Sequence, residues 1–233
     1  MTVEYATAAS RTLANAADRQ FAEADPFETL EWAGRTFGSR IVVASSMADE
    51  VVAHLASRAI PGVDVVFLDT GYHFPETIEF RRSVASRLDV NVIDIEPELS
   101  VAEQDARFGA HLHGRDPDAC CRMRKVEPLH RALDPYDAWI SGVRRDESAS
   151  RATTAIVAWD APRGKLKINP IAGWSQADVD AYALRYGLRV NPLRLLGFAS
   201  IGCAPCTRAV EPGEDERAGR WAGFGKTECG LHG

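Results

Sequence analysis

The sequence lacks any apolar run of about eighteen residues, the length that a membrane-spanning helix requires. It also lacks an excess of positive charge, because 27 lysines and arginines stand against 33 aspartates and glutamates, a formal net charge of −6. This balance argues against a general nucleic-acid-binding protein, so an anion site has to be a local cluster of basic side chains. We therefore expect neither a membrane nor a nucleic acid among its partners.

Targeting and repeat signals are also missing. The first residues have no basic start followed by an apolar block, so we expect no secretory signal and a cytoplasmic protein. We find no internal repeat and no low-complexity linker in the 233 residues. This length suits one domain over residues 1–233, with a helical N-terminal extension at 1–39 and a loop-rich C-terminal segment at 203–233.

Four short apolar runs alternate with stretches of helical character. They predict strands at residues 40–46, 63–70, 90–97 and 137–143. This alternation is typical of an α/β fold with a parallel sheet and helices on both of its faces. In such sheets ligands bind beyond the carboxyl ends of the strands, which is where the polar segments of this chain follow.

The five cysteines divide into four plus one. Cys120 and Cys121 are adjacent, Cys203 and Cys206 form a CxxC pair, and Cys229 lies four residues from the end of the sequence. Four thiolates can bind a tetrahedral zinc ion or an iron–sulfur cluster. A CxxC pair is also typical of a redox dithiol, and free cysteines often pack as small hydrophobic residues.

The adjacent pair favours the iron–sulfur cluster over zinc. If the segment is extended, the side chains of Cys120 and Cys121 point to opposite faces, and binding one ion through both strains the backbone. Structural zinc sites usually separate such pairs by two to four residues. A 4Fe–4S cluster offers separate irons, each of which needs one thiolate.

Basic side chains cluster at three places near these motifs. Lys125 follows the adjacent cysteines, Arg144 and Arg145 follow a predicted strand, and Arg217 and Arg220 have the i, i+3 spacing of one helical face. Paired arginines can bind phosphate or sulfate oxygens in a bidentate manner. Surface ion pairing with nearby acidic residues is the alternative interpretation of each cluster.

Two loops at strand ends complete the candidate site. The segment SSMADE joins the first predicted strand to its helix, and Ser46 with the exposed amides there could bind an anion, although Ser and Asp are also ordinary N-caps. The segment LDTGYHFPET (68–77) ends the second strand with several polar and aromatic groups. Its composition favours a ligand-binding loop over a plain turn.

Taken together, these motifs resemble one family. The segments LDTGYHFPET, CCRMRKVEPL, SGVRRDESASR, GFASIGCAPCTR, ERAGRW and ECGLH follow one another between roughly residues 40 and 233. In that order they resemble the assimilatory adenylyl-sulfate (APS) reductases, which are close relatives of the phosphoadenylyl-sulfate (PAPS) reductases. The joint presence of CC, CxxC and ECGLH makes the resemblance specific.

The resemblance implies a fold, a reaction and a cofactor. The fold is an adenine-nucleotide α-hydrolase-like parallel sheet. The reaction converts APS to sulfite and AMP in sulfate assimilation and cysteine biosynthesis, with electrons from thioredoxin or a glutaredoxin-like thiol donor. A 4Fe–4S cluster would be held by Cys120, Cys121, Cys203 and Cys206, and residues 203–233 would form a segment that binds the cluster and carries the catalytic tail.

The resemblance also assigns roles to single residues. Cys229 would be the nucleophile that forms an S-sulfonate, with Lys125 and His232 beside it. The substrate would be bound by Ser46, Leu68, Thr70, Arg145, Arg217 and Arg220. One departure concerns the SSMADE loop, where Met47 replaces a glycine that is frequent in the family. The contacts of that loop are therefore left open.

Three alternatives remain at this point. The first is a PAPS reductase, whose substrate carries an additional 3′-phosphate. The second is an ATP-using sulfur transferase or pyrophosphatase on the same sheet, although SSMADE does not match the SGGxDS-like loop of those enzymes. The third is a non-enzymatic metal-binding module. The sequence also leaves a homo-oligomer open.

Overall fold

A computed structural model of the protein describes residues 3–231. Within this range the chain forms the α-helices α1 (Val3–Phe21), α2 (Pro26–Phe37), α3 (Val51–Ala59), α4 (Pro75–Arg87), α5 (Val101–Phe108), α6 (Leu112–Arg115), α7 (Pro117–Cys121), α8 (Glu127–Leu133), α9 (Gln176–Tyr186) and α10 (Pro192–Leu195). A π-helix covers Arg122–Val126, and short 3-10 helices cover Arg145–Glu147, Ala149–Arg151 and Ala204–Cys206.

The described strands form a single six-stranded sheet. They are β1 (Ile41–Ala44), β2 (Val63–Leu68), β3 (Val90–Ile95), β4 (Ala138–Ser141), β5 (Val157–Asp160) and β6 (Lys165–Ile168). Their order in the sheet is β3-β2-β1-β4-β6-β5. All neighbours run parallel except β5, which pairs antiparallel with β6 at one edge. The predicted parallel sheet is confirmed.

Side chains alternate between two cores, one on each face of the sheet. Ile41 and Val43 of β1 belong to a large core that is covered by the helices of the N-terminal half and α9. Val42 of the same strand lies in a smaller core together with Trp139 and, from α8, Leu129. Because a parallel sheet buried on both faces has almost no polar strand positions, its functional groups are confined to the strand ends.

The N-terminal helices are part of the main core. Ala14, Ala17 and Phe21 of α1 are buried among its residues. The Asp18 carboxylate accepts the backbone N–H groups of Ile156 and Val157, at N···O distances of 2.7 and 3.2 Å. These bonds fix α1 to edge strand β5. The domain boundaries given above stay a prediction.

The edge hairpin of β5 and β6 is absent from the predicted strands. Each of these strands has only four residues, and a turn at 161–164 joins them, with Gly164 at a φ of 64°. The sequence does contain a signal for the turn, because a glycine between two alternating segments is typical of a hairpin. The strands are too short for their periodicity to stand out from the surrounding loop.

Two local predictions about the functional segments are wrong. Cys120 and Cys121 end helix α7 instead of lying in an extended segment, so their side chains diverge by about 100° and can face one cavity. Arg217 lies in a turn and Arg220 in an isolated antiparallel β-bridge with Thr207, so they are not on a helix, although the N–H of Arg220 does bond to the carbonyl of Arg217 at 2.8 Å.

No helix between residues 3 and 231 is long and apolar enough to cross a membrane.

Met47 occupies a backbone conformation that favours glycine. Its φ is 58° and its side chain is fully buried. The loop is held on both sides, because the Met47 N–H donates to the Ser45 hydroxyl (3.1 Å) and the Asn191 amide donates to the Met47 carbonyl (3.0 Å). The loop thus keeps a left-handed conformation at a residue other than glycine. The side chain of Met47 is buried in the main core.

We expect the buried side chain of Met47 to outweigh its backbone strain. Met47→Ala keeps the strain and deletes the packing, at a cost of about 2–5 kcal/mol of unfolding free energy. Met47→Gly deletes the packing but relieves about 1–2 kcal/mol of left-handed strain. Chemical denaturation is therefore expected to rank wild type above Met47→Gly and Met47→Gly above Met47→Ala. Gly187→Ala, at a φ of 62° with open space around the added carbon, measures the strain alone. A Met47→Gly protein as stable as wild type would contradict this assignment.

Candidate active site

A pocket of about 220 Å³ opens at the carboxyl ends of the central strands. Ala44, Leu68 and Ser141 are the final residues of β1, β2 and β4, and all three line it. Ser46 contributes from the loop after β1. The pocket therefore lies where the doubly wound topology predicts a ligand.

One wall of the pocket is strongly basic. Arg144, Arg217, Arg220 and Lys125 all line it, and Lys125 and Arg144 are 8 % and 5 % exposed. The Nε atoms of Arg217 and Arg220 are buried and have no hydrogen-bond partner among the described residues. A buried donor without a partner costs free energy, so both guanidinium groups are poised to bind an anion.

The ring of Trp221 makes cation–π contacts with side chains of this basic wall. Its ring centroid lies 4.5 Å from the guanidinium carbon of Arg220 and 5.9 Å from that of Arg217. The ammonium of Lys226 lies 5.6 Å from the same centroid. The backbone N–H of Trp221 also donates to the backbone carbonyl of Cys206 at 3.0 Å. Trp221 therefore joins the basic wall to the CxxC segment.

The four clustered cysteines line a second, smaller cavity next to the pocket. Cys120, Cys121, Cys203 and Cys206 share it with Trp221 and other residues. Burial, and then the neighbouring sulfurs, raise the pKa of Cys120 to about 12 and that of Cys206 to about 11. Among residues 3–231 no group of three His, Cys, Asp or Glu side chains has the arrangement to hold a metal ion.

Lys125 lies between the two cavities and lines both. It belongs to the π-helix, in which the Glu127 N–H bonds to the Arg122 carbonyl, five residues back. Pro128 has no N–H to give to residue 124, so the regular helix pattern is interrupted there. Burial acts to lower the pKa of Lys125, but the sulfurs of Cys203 and Cys229 raise it above its ordinary value. The lysine is a buried cation at neutral pH.

The C-terminal tail brings Cys229 into the pocket. Its half-buried thiol lines the cavity together with the basic wall. Two contacts hold the tail on either side of it: Lys226 forms an ion pair with Asp118, and Leu231 packs against the smaller core. A thiol from the end of the chain thus lies beside the arginines.

The structure brings most of the predicted site residues together. Those that line the main pocket are Ser46, Leu68, Lys125, Arg217, Arg220 and Cys229. Thr70 lies next to the cysteine cavity instead, with its hydroxyl 3.3 Å from the sulfur of Cys203. Arg145 is not among the lining residues, because its Nε donates to the Thr154 carbonyl at 2.8 Å. His232 lies outside the described residues.

Sequence reasoning grouped Arg144 with Arg145 but assigned the substrate to Arg145 alone. The structure places Arg144 in the pocket instead, because the backbone there is extended and neighbouring side chains point to opposite faces. Sequence reasoning missed other residues of the pocket altogether. Arg151, Arg194 and His73 also line the pocket. The His73 Nε2 atom lies 2.8 Å from the Leu68 carbonyl, while its Nδ1 atom is buried without a partner in the described chain. Only the folded chain places these three residues here.

Comparison with known proteins identifies the family. The model of the phosphoadenosine phosphosulfate reductase domain matches residues 40–209. The chain belongs to this family. Family members among the curated proteins include the adenosine 5′-phosphosulfate reductase of Streptomyces coelicolor, which is 60 % identical over 99 % of this chain and 98 % of that protein. The adenosine 5′-phosphosulfate reductase of Mycolicibacterium smegmatis is 50 % identical over 95 % and 94 % of the two chains.

Solved structures support the same fold. The phosphoadenylyl-sulfate reductase of Candida auris has a TM-score of 0.71 at 27 % identity, over 84 % of this chain and 96 % of that one. The FMN adenylyltransferase of Candida glabrata shares the fold alone, with a TM-score of 0.57 at 14 % identity over 89 % of this chain and 75 % of that one. The adenine-nucleotide α-hydrolase-like sheet of the family is thus confirmed.

Gly202 is expected to set the position of Arg220. A Cβ atom at residue 202 would lie 2.3 Å from Nη2 and 2.5 Å from the guanidinium carbon of Arg220. Because these atoms are the end of a flexible side chain, Gly202→Ala should fold while displacing the guanidinium. We expect AMP to bind about tenfold more weakly in calorimetry, the equivalent of about one charge-assisted hydrogen bond.

The matched control is Gly114→Ala, where the added carbon meets nothing within 4 Å. It should bind AMP like wild type. If Gly202→Ala also bound AMP like wild type, Arg220 would not contribute to the anion site.

Proposed function

We propose that the protein reduces adenosine 5′-phosphosulfate to sulfite and AMP in sulfate assimilation and cysteine biosynthesis. Cys229 is the nucleophile, and thioredoxin or a glutaredoxin-like thiol donor supplies the electrons. The observation that carries the proposal is that the thiol of Cys229 shares one pocket with Lys125, Arg217 and Arg220. Family membership and relatives named adenosine 5′-phosphosulfate reductase support it.

The first step is transfer of the sulfonyl group to the enzyme. The Cys229 thiolate attacks the sulfur of the phosphosulfate, the sulfur–oxygen bond to the phosphate breaks, and AMP leaves with the bonding electron pair. Cys229 then carries an S-sulfonate. A thiolate and a phosphosulfate are both anions, so their approach needs neighbouring positive charge. Lys125 supplies it from a buried position and Arg217 and Arg220 from half-buried positions, where water screens it less than at the surface.

The second step releases sulfite. A thiolate of the donor attacks the sulfur of Cys229, sulfite departs, and a mixed disulfide joins the two proteins. The second thiol of the donor then releases reduced Cys229, so the donor dithiol provides both electrons. If the other four cysteines of the described chain hold a cluster in the neighbouring cavity, none is left to resolve the disulfide. The chemistry therefore requires an external dithiol.

We infer that the cysteine cavity holds a 4Fe–4S cluster through Cys120, Cys121, Cys203 and Cys206. The donor set fits this group, because four cysteines, three of them buried and Cys206 half-buried, line one small cavity, and thiols of raised pKa would release their protons on binding metal. The hydroxyl of Thr70 lies 3.3 Å from the sulfur of Cys203, and Lys125 lines the same cavity. When bound, the cluster supplies structural order and negative charge next to Lys125, and the dithiol route needs no electron from it.

The choice of APS over PAPS is supported by the relatives. Proteins named adenosine 5′-phosphosulfate reductase are 45–60 % identical to this chain over most of its length. The phosphoadenylyl-sulfate reductase of known structure is 27 % identical. PAPS reduction by the same two steps is the alternative activity.

Intact-mass spectrometry tests the reaction directly. Anaerobically purified protein, with about four iron atoms per chain by assay, is incubated with APS and no thiol donor. We expect an added mass of about 80 Da, one SO3 group on the nucleophile. Cys229→Ser should show no adduct, and reduced thioredoxin should remove the adduct from wild type with the release of sulfite.

A parallel incubation with PAPS decides the substrate. An adduct with PAPS and none with APS would keep the mechanism and contradict the substrate. No adduct with either nucleotide, in protein that holds its iron, would overturn the reductase proposal.

A further inference from the structure

The residue before the nucleophile is held by two arginines. The Glu228 carboxylate accepts two hydrogen bonds from Arg151, one from Nε at 2.7 Å and one from Nη2 at 2.8 Å. It accepts a third from Nη2 of Arg217 at 3.1 Å, and the Ser150 hydroxyl lies 3.4 Å away. The side chains of Glu228, Arg151 and Arg217 are 23 %, 10 % and 11 % exposed. A bidentate pair in such a sheltered place is stronger than a surface ion pair.

The hydrogen bonds of Arg151 connect the tail to the sheet. Nη1 of Arg151 also donates to Glu147 at 2.5 Å, and Glu147 in turn accepts the backbone N–H of Arg144 at 2.9 Å. Arg144 follows β4 closely, so the connection leads from the tail to the end of a central strand. The positive charges of Arg151 and Arg217 are matched by the negative charges of Glu147 and Glu228. The ion-pair network is therefore a fixed anchor and not a loose surface contact.

Arg217 has a second bond to the tail. Its Nη2 atom donates to the Thr227 carbonyl at 2.9 Å as well as to the Glu228 carboxylate. Its Nε atom is buried and has no described partner. One guanidinium thus holds the backbone before the nucleophile and still has a donor left for an anion in the pocket.

These contacts determine where Cys229 lies. Burial alone would raise the pKa of Glu228, but the hydrogen bonds and charge of Arg151 lower it below its ordinary value, so the carboxylate is ionised at neutral pH. Of the three tail anchors, Lys226 pairs with an exposed carboxylate and Leu231 is apolar. Only Glu228 adjoins the nucleophile and contacts the basic wall. Fixing the carboxylate of one residue restricts the backbone of the next.

We propose that Glu228 is a positioning residue, whose carboxylate, gripped by Arg151 and Arg217, closes the tail and places the Cys229 sulfur against the substrate. The inference rests on the proposed function. It predicts that loss of the Glu228 charge frees the tail and slows sulfonyl transfer, while the nucleotide pocket itself remains intact.

The test compares wild type with Glu228→Gln, which keeps the size of the side chain and removes its charge. The matched control is Glu214→Gln, because Glu214 forms a bidentate pair with Arg208 in the same C-terminal segment at 2.8 and 2.9 Å. Arg151→Lys is the second variant, since lysine keeps the charge but loses the planar fork. Each protein is first shown to hold its iron and to melt like wild type.

Two rates are measured on each protein. The first is alkylation of Cys229 by neutral iodoacetamide without nucleotide, followed by peptide mass. The second is S-sulfonate formation in a single turnover at saturating APS. For Glu228→Gln we expect alkylation of Cys229 to be about tenfold faster and S-sulfonate formation about tenfold slower, which corresponds to the loss of about one charge-assisted pair. The affinity for AMP should not be weakened. Arg151→Lys should shift both rates in the same directions, and Glu214→Gln neither.

Unchanged alkylation and sulfonation rates in Glu228→Gln would overturn the inference. So would faster alkylation with an unchanged sulfonation rate, because the tail would then be held without consequence for the reaction. If wild type forms no sulfonate with APS or PAPS, the proposed function fails, whereas the alkylation rates still report whether Glu228 holds the tail.

Discussion

The central physical constraint of the proposed reaction is that two anions have to meet in one place. A phosphosulfate and the thiolate of Cys229 repel each other, and a chain with a net charge of −6 offers no general positive field. The buried cation Lys125 and the half-buried cations Arg217 and Arg220 answer this constraint. All three line the pocket, and Lys125 also lines the cysteine cavity, where its charge is shielded little by water and acts on both sides.

The fold explains how these cations are held. Parallel strands buried on both faces leave functional groups only at their ends, and the pocket opens at the ends of β1, β2 and β4. Lys125 comes from the π-helix that follows the adjacent cysteines. Arg217 comes from a turn and Arg220 from a bridge to Thr207, and the guanidinium groups of both lie over the ring of Trp221. One tryptophan ring thus supports both arginines, and its backbone N–H holds the CxxC segment.

Much of this arrangement was predictable from sequence, and the reasons for the exceptions are physical. The strands β1 to β4 were visible because each is a mainly apolar segment, rich in Val and Ile, between helical stretches. The hairpin of β5 and β6 was not, since four-residue strands show too little periodicity. Motif positions led to Cys229, Lys125, Arg217 and Arg220, all of which line the pocket. The choice between Arg144 and Arg145 depends on which face of an extended backbone meets the cavity, and adjacent identical letters carry no such information.

The most direct test of this account is the single-turnover rate of S-sulfonate formation in Lys125→Met. The substitution replaces a buried cation by a side chain of similar length, and its iron content and AMP affinity are measured alongside. If the buried charge brings the anions together, sulfonate formation falls by about 10²–10³-fold, the usual cost of removing one preorganised electrostatic contact, while AMP still binds. A wild-type rate in protein that holds its iron would contradict the central claim.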